Sequence, residues 1–133
     1  NTAYVASDGS VLDRKYMGTF AWILLEHDSQ NNLQHMGKEG YGREAVYGLD
    51  TTETISYRME ALALLAGLSF LRIILEWKGN VHWYTDSKAV IDTYIKYSKY
   101  NSKANHTSWI AQRDKDVWEM LLIEQEAWGD RLT

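Results

Sequence analysis

The stretch SYRMEALALLAGLSFLRIILEWKGNVHWYTDS, residues 56–87, decides the fold of this chain. Its first part repeats apolar side chains at helical spacing, at Leu62, Leu65, Leu68, Leu71, Ile74 and Leu75, and Ala61, Leu64 and Phe70 widen the stripe. A stripe this wide is typical of a helix pressed against a sheet, so we predict a helix over 57–76 with N-cap candidates in 51–56. Lys78-Gly79-Asn80 ends this helix, and 81–85 has the apolar character of a buried parallel strand.

The segments on either side of this stretch complete an α/β pattern. Residues 3–7 and 19–26 predict strands, and 34–48 predicts a third strand that Gly37, Gly40 and Gly42 kink or bulge. These three strands form an antiparallel meander. Two helices follow the fourth strand, at 87–97 and 114–128, with a polar stretch at 98–108 between them.

The order of these elements predicts a mixed sheet. A strand–helix–strand crossover is right-handed, so the 81–86 strand lies parallel to and beside the first strand, with the 57–76 helix over one face. The chain has 133 residues, and we expect one domain over 1–133. An apolar content of 45%, with six Trp and nine Tyr, is typical of a globular protein.

Composition also limits the class of protein and of metal site. The chain has no Cys, which excludes disulfides and thiolate zinc sites and leaves oxygen or imidazole ligands for any metal. We see neither a charge-free apolar run of roughly 18 residues nor a signal-peptide pattern, so we expect an intracellular protein without a transmembrane span. The formal net charge is −4, which predicts weak unaided binding to nucleic acid because phosphate contacts normally need a basic surface.

Three carboxylates carry the functional prediction. Asp8 lies inside a short apolar strand pattern, Glu60 lies on the first turns of the long helix, and Asp86 lies at the end of the fourth strand. The crossover brings all three within reach of one another, and clustered acids need cations to be tolerated. Two divalent metals held by such a cluster can hydrolyse a phosphodiester, so we predict a metal-dependent nuclease.

At these residues the chain resembles the ribonuclease H family, type 1, including the ribonuclease H domains of reverse transcriptases. The matching pieces are Ser7-Asp8-Gly9-Ser10, Gly18-Thr19-Phe20-Ala21-Trp22, Tyr57-Arg58-Met59-Glu60, Tyr84-Thr85-Asp86-Ser87 and Lys115-Asp116-Val117-Trp118. They follow the family's order and spacing over nearly the whole chain. The 57–67 run is more similar to retroelement sequences than to cellular enzymes.

The resemblance implies endonucleolytic hydrolysis of the RNA strand of an RNA–DNA hybrid with two Mg²⁺ ions, or with Mn²⁺. Carried over, Asp8 contacts both metals, Glu60 one of them, and Asp86 the other, where it helps to orient the attacking water. The backbone around Gly9 and Ser10 lies in the minor groove, where 2′-hydroxyls distinguish RNA from DNA. The substrate contacts implied in this way are Gly9, Ser10, Ser56, Ser87 and Tyr97, the last beside the DNA strand.

The chain departs from the family at its C-terminus. The family's fourth acid lies beyond a fifth strand, and this sequence stops at Arg131-Leu132-Thr133, about where that strand begins. Asp130 precedes the strand position and does not replace the missing acid. We therefore expect a C-terminally truncated domain, a piece of a reverse transcriptase or retroelement polyprotein. Its 81–86 strand presents an open edge, which predicts self-association or a marginal, disordered C-terminal half.

Other interpretations remain open at this point. The negative charge and the absent fourth acid also fit a non-catalytic ribonuclease H-like scaffold. A proofreading exonuclease or an integrase of the same superfamily is disfavoured by Asp-Gly-Ser at the first motif and by a helix glutamate between the two strand acids. Taken singly, Asp8-Gly9 is typical of a turn, Glu60 of a first-turn helix acid, and Asp86 or Ser87 of a helix N-cap. Arg58 is expected to brace the helix or pair with an acid.

Overall fold

The computed structural model describes residues 2–11, 17–45, 52–100 and 114–132. Its strands are β1 (Thr2–Val11), β2 (Met17–His27), β3 (Leu33–Ala45) and β4 (Asn80–Tyr84). Its helices are α1 (Thr52–Ser69), continued by a π-helical turn (Phe70–Ile74), α2 (Lys88–Tyr100) and α3 (Lys115–Trp128), continued by a 3₁₀ turn (Gly129–Arg131). All predicted helices and strands are found in this order. Residues 46–48 of the predicted third strand and 101–108 of the predicted polar stretch lie outside the described residues.

The four strands form one sheet in the order β3-β2-β1-β4. β1 pairs antiparallel with β2 and parallel with β4, which confirms the predicted mixed sheet. The last rung between the parallel strands joins Ala6 to Tyr84. Asp8 and Asp86 each lie two residues beyond that rung. The register of the sheet therefore places both acids at the same end of the two strands.

The predicted irregularity of the third strand lies at Gly37. Ile23 faces Glu39 and Leu25 faces His35, so two residue steps on β2 oppose four on β3. Gly37 has a φ of 77°, in the left-handed region that glycine tolerates best, and its N–H donates to Nδ1 of His35 at 2.8 Å. This bulge confirms the predicted kink.

The core lies between one face of the sheet and the helices. Ala3 and Val5 of β1 are fully buried, and their side chains alternate with more exposed neighbours as expected for a strand with one covered face. From the helices, the fully buried side chains include Leu64, Leu68 and Leu71 before β4 and Trp118 in α3. The wide apolar stripe of the sequence is thus explained, since α1 is covered by the sheet on one side and by α3 on another.

The end of the long helix differs from the prediction. Regular α-helix stops at Ser69, the π-helical turn follows, and Glu76 adopts a φ of 51°, so the chain turns before Lys78 and Gly79. In this turn Arg72 donates from Nε and Nη2 to the buried carboxylate of Glu124 in α3, at 2.8 and 2.7 Å. The turn is therefore stabilised by a tertiary ion pair. Local sequence signals for the end of a helix do not predict such a contact.

The last described residues return to β4. Arg131 donates from Nη1 to the carbonyl of Trp77 at 2.9 Å, and Leu132 forms an isolated parallel bridge with Val81. Because β1 occupies the other side of β4, this bridge lies on the outer edge of the sheet. No helix in the described ranges is long and apolar enough to cross a membrane.

Candidate metal centre

The structure brings the three predicted acids together. Asp8 comes from the later part of β1, Glu60 from the third turn of α1, and Asp86 from the segment that follows β4. Each offers one carboxylate oxygen, and these three oxygens all lie within 4.8 Å of one another. The convergence expected from the crossover is therefore present in the folded chain.

The three acids can converge because β1 and α1 contact each other closely at Gly9. A Cβ atom on this residue would lie 2.5 Å from the backbone nitrogen of Glu60 and 2.6 Å from the carbonyl carbon of Met59. Both neighbours are backbone atoms, which cannot move aside as a flexible side chain can. Only glycine lets the strand approach the helix this closely, so Gly9 sets the distance between the two elements that carry Asp8 and Glu60.

The carboxylate of Glu60 is held at both oxygens. The N–H of Gly9 donates to Oε1 at 3.0 Å and is shared with Oδ1 of Asp8 at 2.9 Å. The hydroxyl of Thr85 donates to Oε2 at 2.9 Å. Glu60 is only 7% exposed, whereas Asp8 and Asp86 are exposed. The centre thus combines one buried, oriented carboxylate with two at the surface.

Burial decides the ionisation of this cluster. The pKa of Glu60 is raised to about 7, chiefly because removal from water disfavours the charged form and in smaller part because of the nearby Asp8 carboxyl group. The hydrogen bonds from Gly9 and Thr85 lower the pKa and offset part of this rise. Within the described ranges, no Lys, Arg or His side chain forms a salt bridge with any of the three acids. A cation from solution would compensate the charge that the described residues leave uncompensated.

The donor set fits a hard divalent cation. Three carboxylates supply only oxygen ligands, which Mg²⁺ and Mn²⁺ prefer over the nitrogen and sulfur ligands typical of zinc. Mg²⁺ keeps several waters and is commonly bound by one or two carboxylates together with substrate phosphates. Two acids at the surface leave room for such waters and for a substrate oxygen.

A groove of about 580 Å³ lies beside Asp8. It is lined by Asp8, Gly9, Ser10, Thr19, Phe20, Ala21, Tyr41, Gly42 and Arg43. Two of the predicted substrate contacts, Gly9 and Ser10, are therefore at the surface next to the acids. Tyr41 and Arg43 were not predicted to lie at the site, because their approach to Asp8 depends on the pairing of β3 with β2.

The other predicted substrate contacts have different environments. Ser56 is half-buried on α1, one turn before Glu60. Ser87 accepts a hydrogen bond from the N–H of Val90 at 3.3 Å and so caps α2, as the simplest interpretation of its sequence position predicted. Tyr97 is 1% exposed, which leaves its ring no surface for a DNA strand. The structure thus differs from the expectation for Tyr97, because the α2 face that carries this residue is covered.

Arg58, two residues before Glu60, organises a second group of acids. It pairs with Glu44 of β3, with Asp114 at 3.0 Å and with Asp116 at 2.8 Å, both at the start of α3. These carboxylates raise the pKa of Arg58 above its ordinary value, and the guanidinium lowers the pKa of Asp116. The expected bracing role is confirmed, and it spans three elements.

Neither a protein-family model nor a curated protein sequence matches this chain. Its fold is similar to that of solved ribonuclease H structures. A foamy virus protease-reverse transcriptase, solved with double-stranded DNA, matches with a TM-score of 0.64 at 10% identity over 98% of this chain and 76% of that chain. LC11 ribonuclease H1, solved with an RNA/DNA hybrid, matches with a TM-score of 0.55 at 14% identity over 98% and 81%.

A third similar structure is the N-terminal ribonuclease H domain of a Mycobacterium tuberculosis protein. It matches with a TM-score of 0.54 at 14% identity over 99% of this chain and 78% of that chain. The chain therefore has the ribonuclease H-like fold, and the predicted resemblance to ribonuclease H domains is confirmed at the level of structure.

Proposed function

We propose that this chain is a metal-dependent ribonuclease H domain that hydrolyses the RNA strand of an RNA–DNA hybrid. The observation that carries the proposal is the convergence of Asp8, Glu60 and Asp86 to within 4.8 Å at the end of two parallel strands of a ribonuclease H-like fold. The hybrid bound by LC11 ribonuclease H1, which shares this fold, supports the substrate class.

The three acids have different roles because their exposure to solvent differs. Glu60, held at both oxygens, is the fixed ligand, and Asp8 and Asp86 face solvent where a substrate phosphate arrives. By the resemblance to ribonuclease H domains, Asp86 would help to orient the attacking water and Asp8 would be shared between the ions, in keeping with the convergence of the three carboxylates. Bound divalent ions supply charge stabilisation for the attacking and leaving oxygens of an in-line displacement.

The substrate follows the groove beside Asp8. Gly9 and Ser10 contact the minor groove of the hybrid, and Arg43 adds a cation that pairs with a backbone phosphate. Ser56 and Ser87 bind phosphates near the acids. Because the net charge is −4, unaided binding is expected to be weak, and the bound divalent ions would supply much of the positive charge that the phosphates meet.

The chain is further proposed to act as a module of a reverse transcriptase or retroelement polyprotein. The similarity to the foamy virus protease-reverse transcriptase supports this proposal, since it has a higher TM-score than the match to LC11 ribonuclease H1. Self-association through the outer edge of β4 remains a prediction. Light scattering coupled to size-exclusion chromatography tests it, and a strictly monomeric mass over a hundredfold range of concentration would contradict it.

The experiment that tests the function is cleavage of a hybrid labelled on either strand, with Mg²⁺ or Mn²⁺, with EDTA, and with Asp86→Asn. Asp92→Asn is the matched control, because Asp92 is an exposed acid on α2 that pairs with Lys88 and not with the cluster. We expect metal-dependent cutting of the RNA strand alone, retained in Asp92→Asn and lost in Asp86→Asn. Absence of cutting by the unmodified chain would favour the non-catalytic scaffold.

A further inference from the structure

The geometry points to Thr85 as a positioning residue that presets two of the three acids with a single hydroxyl group. Thr85 follows β4 directly and precedes Asp86. Its Oγ1 atom lies 2.9 Å from Oε2 of Glu60 and 3.2 Å from the backbone nitrogen of Ser87. One side-chain oxygen thus joins α1 to the turn between β4 and α2.

The direction of the two hydrogen bonds follows from their chemistry. A backbone N–H can only donate, so Oγ1 of Thr85 accepts from Ser87. The single hydroxyl proton is then available to the carboxylate of Glu60, which accepts it when ionised. Both capacities of the hydroxyl are used, and its rotation is fixed.

Two hydrogen bonds orient the carboxylate of Glu60, and the one from Thr85 is donated by a side chain. The other donor is the backbone N–H of Gly9, which every non-proline residue also has. Without Thr85, Oε2 of Glu60 loses its donor, and the carboxylate can rotate away from the orientation that faces Asp8. A residue that is only 7% exposed gains little compensation from water.

The same hydroxyl holds the turn that carries Asp86. The bond from the Ser87 N–H closes a three-residue loop with Asp86 at its centre, a turn typical of Ser and Thr side chains. Ser87 in turn caps α2 through the N–H of Val90. Asp86 is exposed, and this turn sets the direction of the backbone that carries it relative to Glu60.

The inference rests on the proposed function and deepens it. Partners that orient metal ligands typically change metal affinity by about 10- to 100-fold when they are removed. We expect Thr85→Val, which keeps the shape and removes the hydroxyl, to weaken Mg²⁺ and Mn²⁺ binding by roughly that factor. Thr85→Ser keeps the hydroxyl and is expected to restore most of the affinity.

The matched control is Thr93→Val. The hydroxyl of Thr93 is also half-buried, donates to the carbonyl of Ala89 at 2.9 Å and lies 2.8 Å from Oη of Tyr57, without contact to any of the three acids. Its loss removes hydrogen bonds of the same kind. We expect Thr93→Val to lower the melting temperature about as much as Thr85→Val does and to leave metal affinity unchanged.

The experiment measures Mn²⁺ binding by calorimetry without substrate, and hybrid cleavage as a function of Mg²⁺ concentration, in the full chain and the three variants. We expect the midpoint of Mg²⁺ activation to rise in Thr85→Val and to return in Thr85→Ser, with kcat at saturating Mg²⁺ changing less than the midpoint. Circular dichroism confirms that each variant is folded.

Each result decides between the two claims. Equal Mn²⁺ affinity in the wild type and in folded Thr85→Val would overturn the inference and leave the proposed function standing. A folded Thr85→Ser that binds Mn²⁺ as weakly as Thr85→Val would also overturn the inference, because the loss of affinity would then not come from the hydroxyl. If Thr85→Val does not fold, Thr85→Ser is compared with the wild type, and a folded serine variant with strongly reduced Mn²⁺ affinity overturns the inference. A wild-type chain that binds no divalent ion and cuts no hybrid would remove both.

Discussion

Two carboxylate clusters lie next to the first turns of α1, and within the described ranges only one of them contains its own cation. Glu44, Asp114 and Asp116 surround Arg58, which compensates part of their charge and ties β3 and α3 to the helix. Two residues further along α1, Glu60 meets Asp8 and Asp86 with no salt bridge from any described residue. The first cluster has the composition of a structural brace, and the second that of a metal site.

The difference has a consequence for stability and for activity. Removing the cation from an acid cluster around a partly buried arginine destabilises the fold, because it leaves carboxylates without compensation. A cluster of acids alone costs stability until a cation from solution binds it. Substitutions in the two clusters should therefore have opposite signatures, although Arg58 and Glu60 are neighbours on one helix.

The largest effect is expected from Asp8→Asn. A bound divalent ion supplies several kcal/mol of charge stabilisation in the transition state, so loss of a shared ligand should lower hybrid cleavage by roughly 10³-fold or more. The metal-free protein should lose no stability, because the substitution relieves repulsion with Glu60. Single-turnover cleavage and a thermal melt in EDTA measure the two effects. A variant that keeps its activity, or that melts well below the wild type, would contradict the comparison.

The second effect is the loss of stability in Arg58→Met. The substitution keeps most of the stem but leaves three carboxylates facing one another, and we expect a cost of about 2–3 kcal/mol, moderated because Arg58 and its partners are partly solvated. Urea denaturation measures it. Folded Arg58→Met should still bind Mn²⁺ with nearly wild-type affinity. If metal affinity collapses while stability is preserved, the roles assigned to the two clusters are reversed.

The third effect is a pH-dependent difference in stability between Glu60→Gln and the wild type, both without metal in EDTA. The folded chain binds the Glu60 proton more tightly than the unfolded chain does, with a pKa of about 7 against an ordinary value of 4.5. That contribution to stability is present below pH 4.5 and is lost as the pH rises toward 7. Glu60→Gln removes the loss, so at pH 8 it should be more stable than the wild type by at most about 3 kcal/mol. Urea midpoints at pH 5 and pH 8 measure the difference between the two proteins, and parallel pH profiles would show that burial does not perturb this carboxyl.

The smallest effect is expected from Asp116→Asn. Its side chain is 65% exposed, so water screens its pair with Arg58, and the loss should be about 0.5 kcal/mol or less. Asp114→Asn is the informative partner, because the Asp114 side chain is only 14% exposed and its pair with the same guanidinium is less screened. Urea denaturation should therefore rank Asp114→Asn as the more damaging change. The reverse order would indicate that burial does not set the strength of these pairs.

Individual residues show which parts of the site could be predicted from the sequence. Asp8, Glu60 and Asp86 could be placed together because strand pairing and crossover handedness follow from hydrophobic patterns. Arg58 could be assigned a bracing role, but its partners come from β3 and α3, more than ten residues away along the chain in every case. Tyr97 was expected beside a substrate and is buried, since helical position alone does not tell which face of α2 is covered.

Thr85 shows the same limit within the site. Its position two residues before Ser87 is a local signal for a hydroxyl-closed turn, and the sequence could have predicted that bond. The bond to Glu60 joins residues 25 apart and depends on how α1 lies over the sheet. The π-helical turn at Phe70–Ile74 is likewise held from outside the helix, through Arg72 and Glu124.

The sequence by itself determined the order of helices and strands, the mixed sheet and the identity of the three acids. These properties depend on the periodicity of apolar side chains and on the handedness of the crossover, which are local or general. The tertiary structure alone decided the burial and raised pKa of Glu60, the approach of strand and helix at Gly9, and the separation of the acids into a cluster around Arg58 and a cluster that no described cation pairs with. Such properties depend on which groups lose water and which meet across the fold, and residues distant in the chain set both.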